Sequence, residues 1–236
     1  GDYFGMPVEF FGTKFNALEL IAGWNFDSRN HFLFPTRGLK HSLELSYTAP
    51  GSDVKYATIN YEYGQYFRLW RNFVVALNGE VGYGRELDDT TGLPPYRNFF
   101  GGGPSSVRGF EESRLGPKDN FGNPYGGNLK VVGRAELLFP LPRKWQSSAR
   151  AGLFYDVGNI FYQGDGTTFT NRAGFPVDYS FDVKELRTAA GVGVQWLAPL
   201  GLFRFSYAIP LRYRKSTELS YGDQLEGFQF SIGQAF

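Results

Sequence analysis

Two carboxylates and one arginine have the clearest potential for chemistry in this sequence. Glu136 and Asp156 lie on consecutive strand-like segments, in positions of the same parity as neighbouring charged residues. Paired carboxylates could act as the acid and base of a glycoside hydrolase. Arg108, in the loop that precedes both segments, favours ion pairing over acid–base catalysis. We therefore expect Arg108 to pair with one or both carboxylates, although these could also be plain solvated charges.

Other catalytic chemistries find little support in the sequence. His31 falls in a link between strands and His41 on an apolar strand face, so neither is placed to act as a base beside a serine. The glycines at 101–104 are not followed by the Lys-Ser or Lys-Thr of a phosphate loop. No metal-ligand spacing appears, and the chain has no cysteine. We expect no enzyme activity, no metal and no cofactor.

The loop from Gly101 to Pro117 differs from ordinary solvated loops. It reads GGGPSSVRGFEESRLGP and places one cation, Arg108, among the apolar or small residues Val107, Gly109 and Phe110. A loop exposed on both sides gains nothing from that pattern. A loop whose tip enters a cavity can bury Phe110 and give Arg108 a carboxylate partner. The sequence thus predicts a loop that folds into a cavity formed by the remaining chain.

Composition excludes some classes of protein. The 24 Lys and Arg residues nearly balance the 23 Asp and Glu residues, and no basic stripe for a nucleic acid is present. No apolar run approaches the ~20 residues that a membrane-spanning helix requires. Aromatic residues make up 18% of the chain, which contains 31 glycines. The 236 residues are enough for one large all-β domain or two small domains.

Most of the chain alternates between apolar and polar residues with a period of two, as strands with two different faces do. About nine segments show this pattern, each near the ~10 residues that a tilted membrane-spanning strand needs. The segments are 15–26, 38–47, 54–66, 73–84, 129–139, 148–157, 186–196, 202–209 and 224–236.

Short and long connections alternate along these segments, as in outer-membrane barrels. All four tryptophans fall at the short-turn end, where a membrane interface would suit a side chain that is apolar but donates a hydrogen bond. They are Trp24, Trp70, Trp145 and Trp196. A soluble β-sandwich or barrel is the alternative. The aromatic face and the mid-strand charges on the opposite face favour a barrel with a wet lumen, because strands in lipid must close.

The motif Val107-Arg108-Gly109-Phe110, after GGGPSS and before Gly116-Pro117, resembles the lumen loop of the BamA family of outer-membrane assembly proteins. The terminal LEGFQFSIGQAF resembles the last barrel strand of that family, with Phe228 and Phe230 alternating, a glycine at Gly233 and a final Phe236. The stretches 23–38 and 195–211 add to the resemblance, which spans nearly the whole chain.

The resemblance implies a fold and a set of partners. The expected fold is an all-β antiparallel transmembrane β-barrel, of which this chain supplies the C-terminal strands out of about 16. We expect residues 1–236 to form one barrel domain without POTRA domains. Expected partners are outer-membrane lipid, unfolded outer-membrane proteins and accessory assembly lipoproteins that bind N-terminal domains. The expected location is the outer membrane of a Gram-negative type of bacterium.

The implied function is folding and insertion of barrel proteins through a weak seam at the last strand, which accepts incoming strands by edge pairing. Gly233 would weaken pairing there, or would be an ordinary strand glycine. The resemblance also implies that Arg108 pairs with Glu136 or Asp156, for which Arg134 and Arg150 could compete. A two-partner secretion exporter and a passive pore are the alternatives.

Overall fold

In the computed structural model, residues 16–87, 92–142, 144–164 and 168–233 are described. Nine strands form one antiparallel sheet in the order β1-β2-β3-β4-β6-β7-β10-β11-β13. Their bounds are β1 Glu19–Asp27, β2 Gly38–Thr48, β3 Tyr56–Arg68, β4 Val74–Glu86, β6 Leu129–Leu138, β7 Ala149–Phe161, β10 Arg187–Ala198, β11 Gly201–Arg212 and β13 Phe228–Gly233. The fold is therefore the predicted antiparallel all-β architecture. Among the described residues, β1 and β13 are the two edges of the sheet.

Short elements lie in the connections. The two-residue strands are β5 Gly109–Phe110, β8 Phe169–Thr170, β9 Pro176–Val177 and β12 Leu225–Glu226, paired as β5 with β12 and β8 with β9. In the described part of the chain, 3₁₀ turns span Trp70–Asn72, Pro95–Arg97 and Val183–Glu185. Within the described ranges, no helix is long and apolar enough to cross a membrane.

The predicted last strand is wrong at its start. Residues 224–236 were expected to form one strand, but Leu225–Glu226 pairs with Gly109–Phe110 of the loop and only Phe228–Gly233 joins the large sheet. Gly227 lies between the two pairings, so the chain changes partners within one residue. Phe236 lies outside the described residues.

The two faces of the sheet differ in the way that a wet lumen and a lipid exterior require. The outward side chains are large, apolar and exposed. They include Leu45, Ile59, Val81, Tyr155, Val192, Ile209 and Ile232. The inward side chains include most of the charged strand residues, and the main buried apolar cluster lies between the loop and this inner face: Val107, Phe110, Leu115, Val132 and Ala189.

The longest connections, β4–β6, β7–β10 and β11–β13, leave one end of the sheet, together with the seven-residue link 49–55. The short turns β3–β4 and β10–β11 and the ten-residue β6–β7 connection leave the other end, which we call the short-turn end; residues 199–200 alone join β10 to β11. The four tryptophans all lie at this short-turn end and are each about half-exposed or more. The β1–β2 link, residues 28–37, leaves the same end but folds inward, since Pro35 is buried.

Candidate functional site: the loop arginine and its anchors

The loop tip lies against the inner face of the sheet. Val107 and Phe110 are fully buried, and the Arg108 side chain is 9% exposed. Gly109 has a φ of 88°, and a Cβ there would lie 3.0 Å from Cβ of Ala208. The left-handed backbone and the close approach to β11 both require glycine at this position.

Arg108 contacts both of the predicted carboxylates. Its Nε and Nη2 donate to Asp156 at 2.7 and 2.8 Å, and its backbone N–H donates to Asp156 Oδ2 at 3.0 Å. Its Nη1 lies 2.6 Å from Oε1 of Glu136. The guanidinium carbon is 3.6 Å from the centroid of the Phe154 ring, so a cation–π contact completes its surroundings. The arrangement neutralises the buried cation and fixes the loop on β6 and β7.

The two arginines that could have competed for these carboxylates bind elsewhere. Arg134 is opposite Asp156 in the β6–β7 register, yet its Nη1 donates to the carbonyl of Ser105 at 2.9 Å. Arg150 donates to the carbonyl of Pro35 at 2.6 Å. Arg108 therefore keeps Asp156 because its backbone and its side chain reach the same carboxylate.

Gln229 is an anchor that the sequence analysis missed. Its Nε2 donates to the carbonyl of Phe110 at 2.7 Å, and its Oε1 accepts from the N–H of Gly109 at 3.2 Å. The side chain is buried, on the inward face of β13 between Phe228 and Phe230. In the sequence, the feature that could have indicated this anchor is an amide side chain at an inward position of a strand whose outward residues are aromatic. Gln229 ties the loop to the last strand.

The remaining predicted residues take no part in this site. Phe228 and Phe230 point outward from β13, and Gly233 pairs with Leu202 at the end of that strand. His41 lies on the outer face, with its Nδ1 2.5 Å from the hydroxyl of Tyr61. Among the described residues, no group of three or more His, Cys, Asp or Glu side chains could hold a metal ion.

A comparison with protein families matches residues 11–236 to the Omp85 superfamily domain. The chain belongs to the Omp85 superfamily. Within it, the chain matches BamA proteins in sequence and in structure, which supports the predicted resemblance to the C-terminal part of the BamA barrel, and it also matches SAM50-type subunits.

Three relatives illustrate the similarity. The outer membrane protein assembly factor BamA of Neisseria meningitidis is 36% identical over 91% of this chain and 28% of its own length. The sorting assembly machinery 50 kDa subunit of Saccharomyces cerevisiae is 30% identical over 98% of this chain and 46% of its own. The crystal structure of BamA from Haemophilus ducreyi lacking POTRA domains 1–3 matches with a TM-score of 0.77 and 29% identity, over 94% of this chain and 45% of that one. The Omp85 chain thus spans less than half of each.

Proposed function

We propose that this Omp85 chain is part of an assembly factor that folds β-barrel proteins and inserts them into the outer membrane through a lateral seam. The observation that carries the proposal is the loop anchored from three strands, within a sheet similar to that of the assembly factor BamA. The proposed role is non-enzymatic. The protein provides a strand edge for pairing and an interior of defined shape, and no covalent bond is made or broken.

The last strand supports the seam part of the proposal. Among the described residues, β13 is an edge of the sheet and pairs with β11 alone. Its outward residues Phe228, Phe230 and Ile232 are large and apolar, as a strand facing lipid requires. An edge strand can add a strand of another chain through its backbone N–H and C=O groups. Gly233 would weaken this end of the ladder.

The anchored loop supports the same role. Gln229 joins the loop to β13, while Asp156 and Glu136 join it to β7 and β6. A loop fixed in this way holds the last strand in a defined position relative to the lumen wall. We propose that the anchoring keeps the seam strand placed for pairing with unfolded outer-membrane proteins.

The proposed partners and location follow from the relatives. Lipid of the outer membrane would contact the apolar outer face, and accessory assembly lipoproteins would bind N-terminal domains of the parent protein. Relatives occur in bacteria and in eukaryotes. We propose the outer membrane of a Gram-negative type of bacterium for this chain, given its 36% identity to the Neisseria protein.

A double-mutant cycle in the full-length parent tests the proposal. Arg108→Ala, Asp156→Ala and the double variant are compared for heat-modifiable gel mobility of the barrel and for assembly of a reporter porin in cells. We expect each single change to abolish assembly and the double change to add little, because the pair acts as a unit. Arg172→Ala, at an exposed loop cation, is the control.

Mild and additive effects would contradict the proposed role of the pair. Intact assembly together with a new ion conductance would favour the passive pore. Intact assembly together with a loss of polypeptide secretion would favour the two-partner secretion exporter.

A further inference from the structure

A cavity of about 460 Å³ lies on the inner face of the sheet, between the loop tip and the β1–β2 link. Pro104 and Ser105 border it on the loop side, and Phe32 and Pro35 border it on the side of the link. Its walls are formed by residues of β2, β3, β4, β6, β7, β10 and β11. We call this cavity the lumen chamber.

The charges around the lumen chamber are unbalanced. Among the described residues, six cations border it but only one carboxylate, Glu136. The cations are Arg29, Lys40, Arg108, Arg134, Arg150 and Arg204. Glu136 is itself committed to Arg108 at 2.6 Å. The chamber is therefore a cationic space.

Three of the six cations have a carboxylate partner and three do not. Arg29 pairs with Asp27, Lys40 with Glu62, and Arg108 with Asp156 and Glu136. Within the described part of the chain, Arg134, Arg150 and Arg204 have no carboxylate within 4 Å. Arg134 and Arg150 each donate to one backbone carbonyl, at Ser105 and Pro35. Each guanidinium has five N–H donors, so most of these donors have no acceptor among the described protein groups.

The sheet register brings two of these arginines into one row. Arg150 on β7 is opposite Gln195 on β10, and Gln195 is opposite Arg204 on β11. Facing residues on neighbouring strands are about 5 Å apart, so the two arginines start about 10 Å apart with an amide between them. Long side chains at that separation can converge on one small group.

Grouped guanidinium ions without counter-charge repel one another, and Arg150 is also partly removed from water against the Phe34 ring. A tetrahedral oxyanion would relieve this repulsion and accept several N–H bonds at once. We propose that the lumen chamber binds a small oxyanion of the phosphate class, held by Arg150 and Arg204, with Gln195 between them and Arg134 opposite.

The position of the chamber favours a free oxyanion over the headgroup of a lipid. The walls that carry the arginines face the lumen, whereas the apolar residues for acyl chains, such as Val192 and Phe230, lie on the other face of the sheet. A lipid in the chamber would leave its acyl chains among charged groups. The site therefore suits inorganic phosphate or a small soluble phosphate compound.

Equilibrium dialysis of the full-length parent against radiolabelled inorganic phosphate, in a phosphorus-free detergent, tests the proposal. We expect saturable binding at one site per chain. Arg150→Gln and Arg204→Gln should each weaken it about tenfold, which corresponds to the loss of one charge-assisted hydrogen-bonded contact. Gel mobility before and after heating verifies that each variant is folded. Arg204→Lys, which keeps the charge but loses the planar fork, should bind with intermediate affinity.

Arg212→Gln is the matched control. It removes the same charge from the same strand, but at an exposed position eight residues away and outside the chamber. Absence of saturable binding in the parent, or an equal loss in Arg212→Gln, would overturn the proposal. The assay is repeated in nanodiscs of phosphatidylcholine with and without phosphatidylglycerol. Loss of phosphate binding on adding the anionic lipid would instead identify a headgroup as the occupant and overturn the assignment to a free oxyanion.

Discussion

At the scale of single residues, Asp156 and Glu136 hold Arg108 unequally. The Asp156 side chain is fully buried and accepts three hydrogen bonds from Arg108, whereas the Glu136 side chain is 17% exposed and has one contact. A buried charge that loses its main partner is strongly destabilised, whereas a partner in contact with water can be replaced by water. Removal of the Asp156 carboxylate should therefore lower the free energy of unfolding more than removal of the Glu136 carboxylate.

The first prediction concerns this difference. Asp156→Asn should lower the free energy of unfolding by about 3–5 kcal/mol, because it leaves Arg108 buried with Glu136 alone. Glu136→Gln should lower the free energy of unfolding by about 1–3 kcal/mol. Urea unfolding in lipid vesicles gives both values. Glu62→Gln is the control, because its partner Lys40 is 3.8 Å away and both side chains are exposed, so we expect less than about 1 kcal/mol. Equal costs for Asp156 and Glu136 would contradict the inferred hierarchy.

At the scale of elements, β10 provides the room in which Arg108 and Phe154 stack. Gly191 is opposite Phe154 in the β7–β10 register, and a Cβ on Gly191 would overlap the carbonyl oxygen of Tyr207 and lie 2.7 Å from Cζ of Phe154. At Gly193, two residues further along β10, the atom nearest to an added Cβ would be Nη1 of Arg108, at 3.7 Å. Close packing thus requires glycine at 191, whereas a larger residue would fit at 193.

The second prediction compares these glycines. Gly191→Ala should push the Phe154 ring from under Arg108 and destabilise the barrel by about 1–3 kcal/mol, since little space is available for the methyl group. Gly193→Ala introduces the same group with ordinary contacts and should be tolerated. The measurement is the fraction of each variant that keeps its folded gel mobility on stepwise heating. If Gly193→Ala were the more damaging change, the packing role assigned to Gly191 would be wrong.

At the scale of the whole molecule, the long connections are joined by a second charged cluster. Arg187 Nε donates to Asp223 at 2.5 Å, and Asp223 also accepts from the backbone N–H of Arg214 at 2.6 Å. Glu185 contacts both arginines, at 2.9 and 2.8 Å. Burial raises the pKa of Glu185, but bonds and charges from Arg187 and Arg214 outweigh burial and lower it. The cluster therefore stays charged at neutral pH and links the β7–β10 and β11–β13 connections.

The third prediction is that Asp223→Asn loosens these connections without unfolding the sheet. The amide removes one charge that faces Arg187 and Arg214. We therefore expect limited proteolysis to cut the β11–β13 connection several times faster, which corresponds to a loss of about 1 kcal/mol in local stability. Asp178→Asn is the control, because within the described residues Asp178 bonds to its near neighbour Ser180 and to no group of another connection. Unchanged proteolysis together with early melting of the sheet would show that Asp223 supports the strands instead.

The sequence by itself determined the alternation of faces, and with it the nine strands and the inward positions of Glu136 and Asp156. Period-two patterning is local, so it can be read from neighbouring residues alone. The tertiary structure decided which inward groups meet. Gln229 reaches Phe110 across a separation of 119 residues, and Leu225–Glu226 leaves the large sheet for the loop. Such contacts depend on the strand order and on how deeply the loop enters the lumen. Neither can be read from a local pattern of residues.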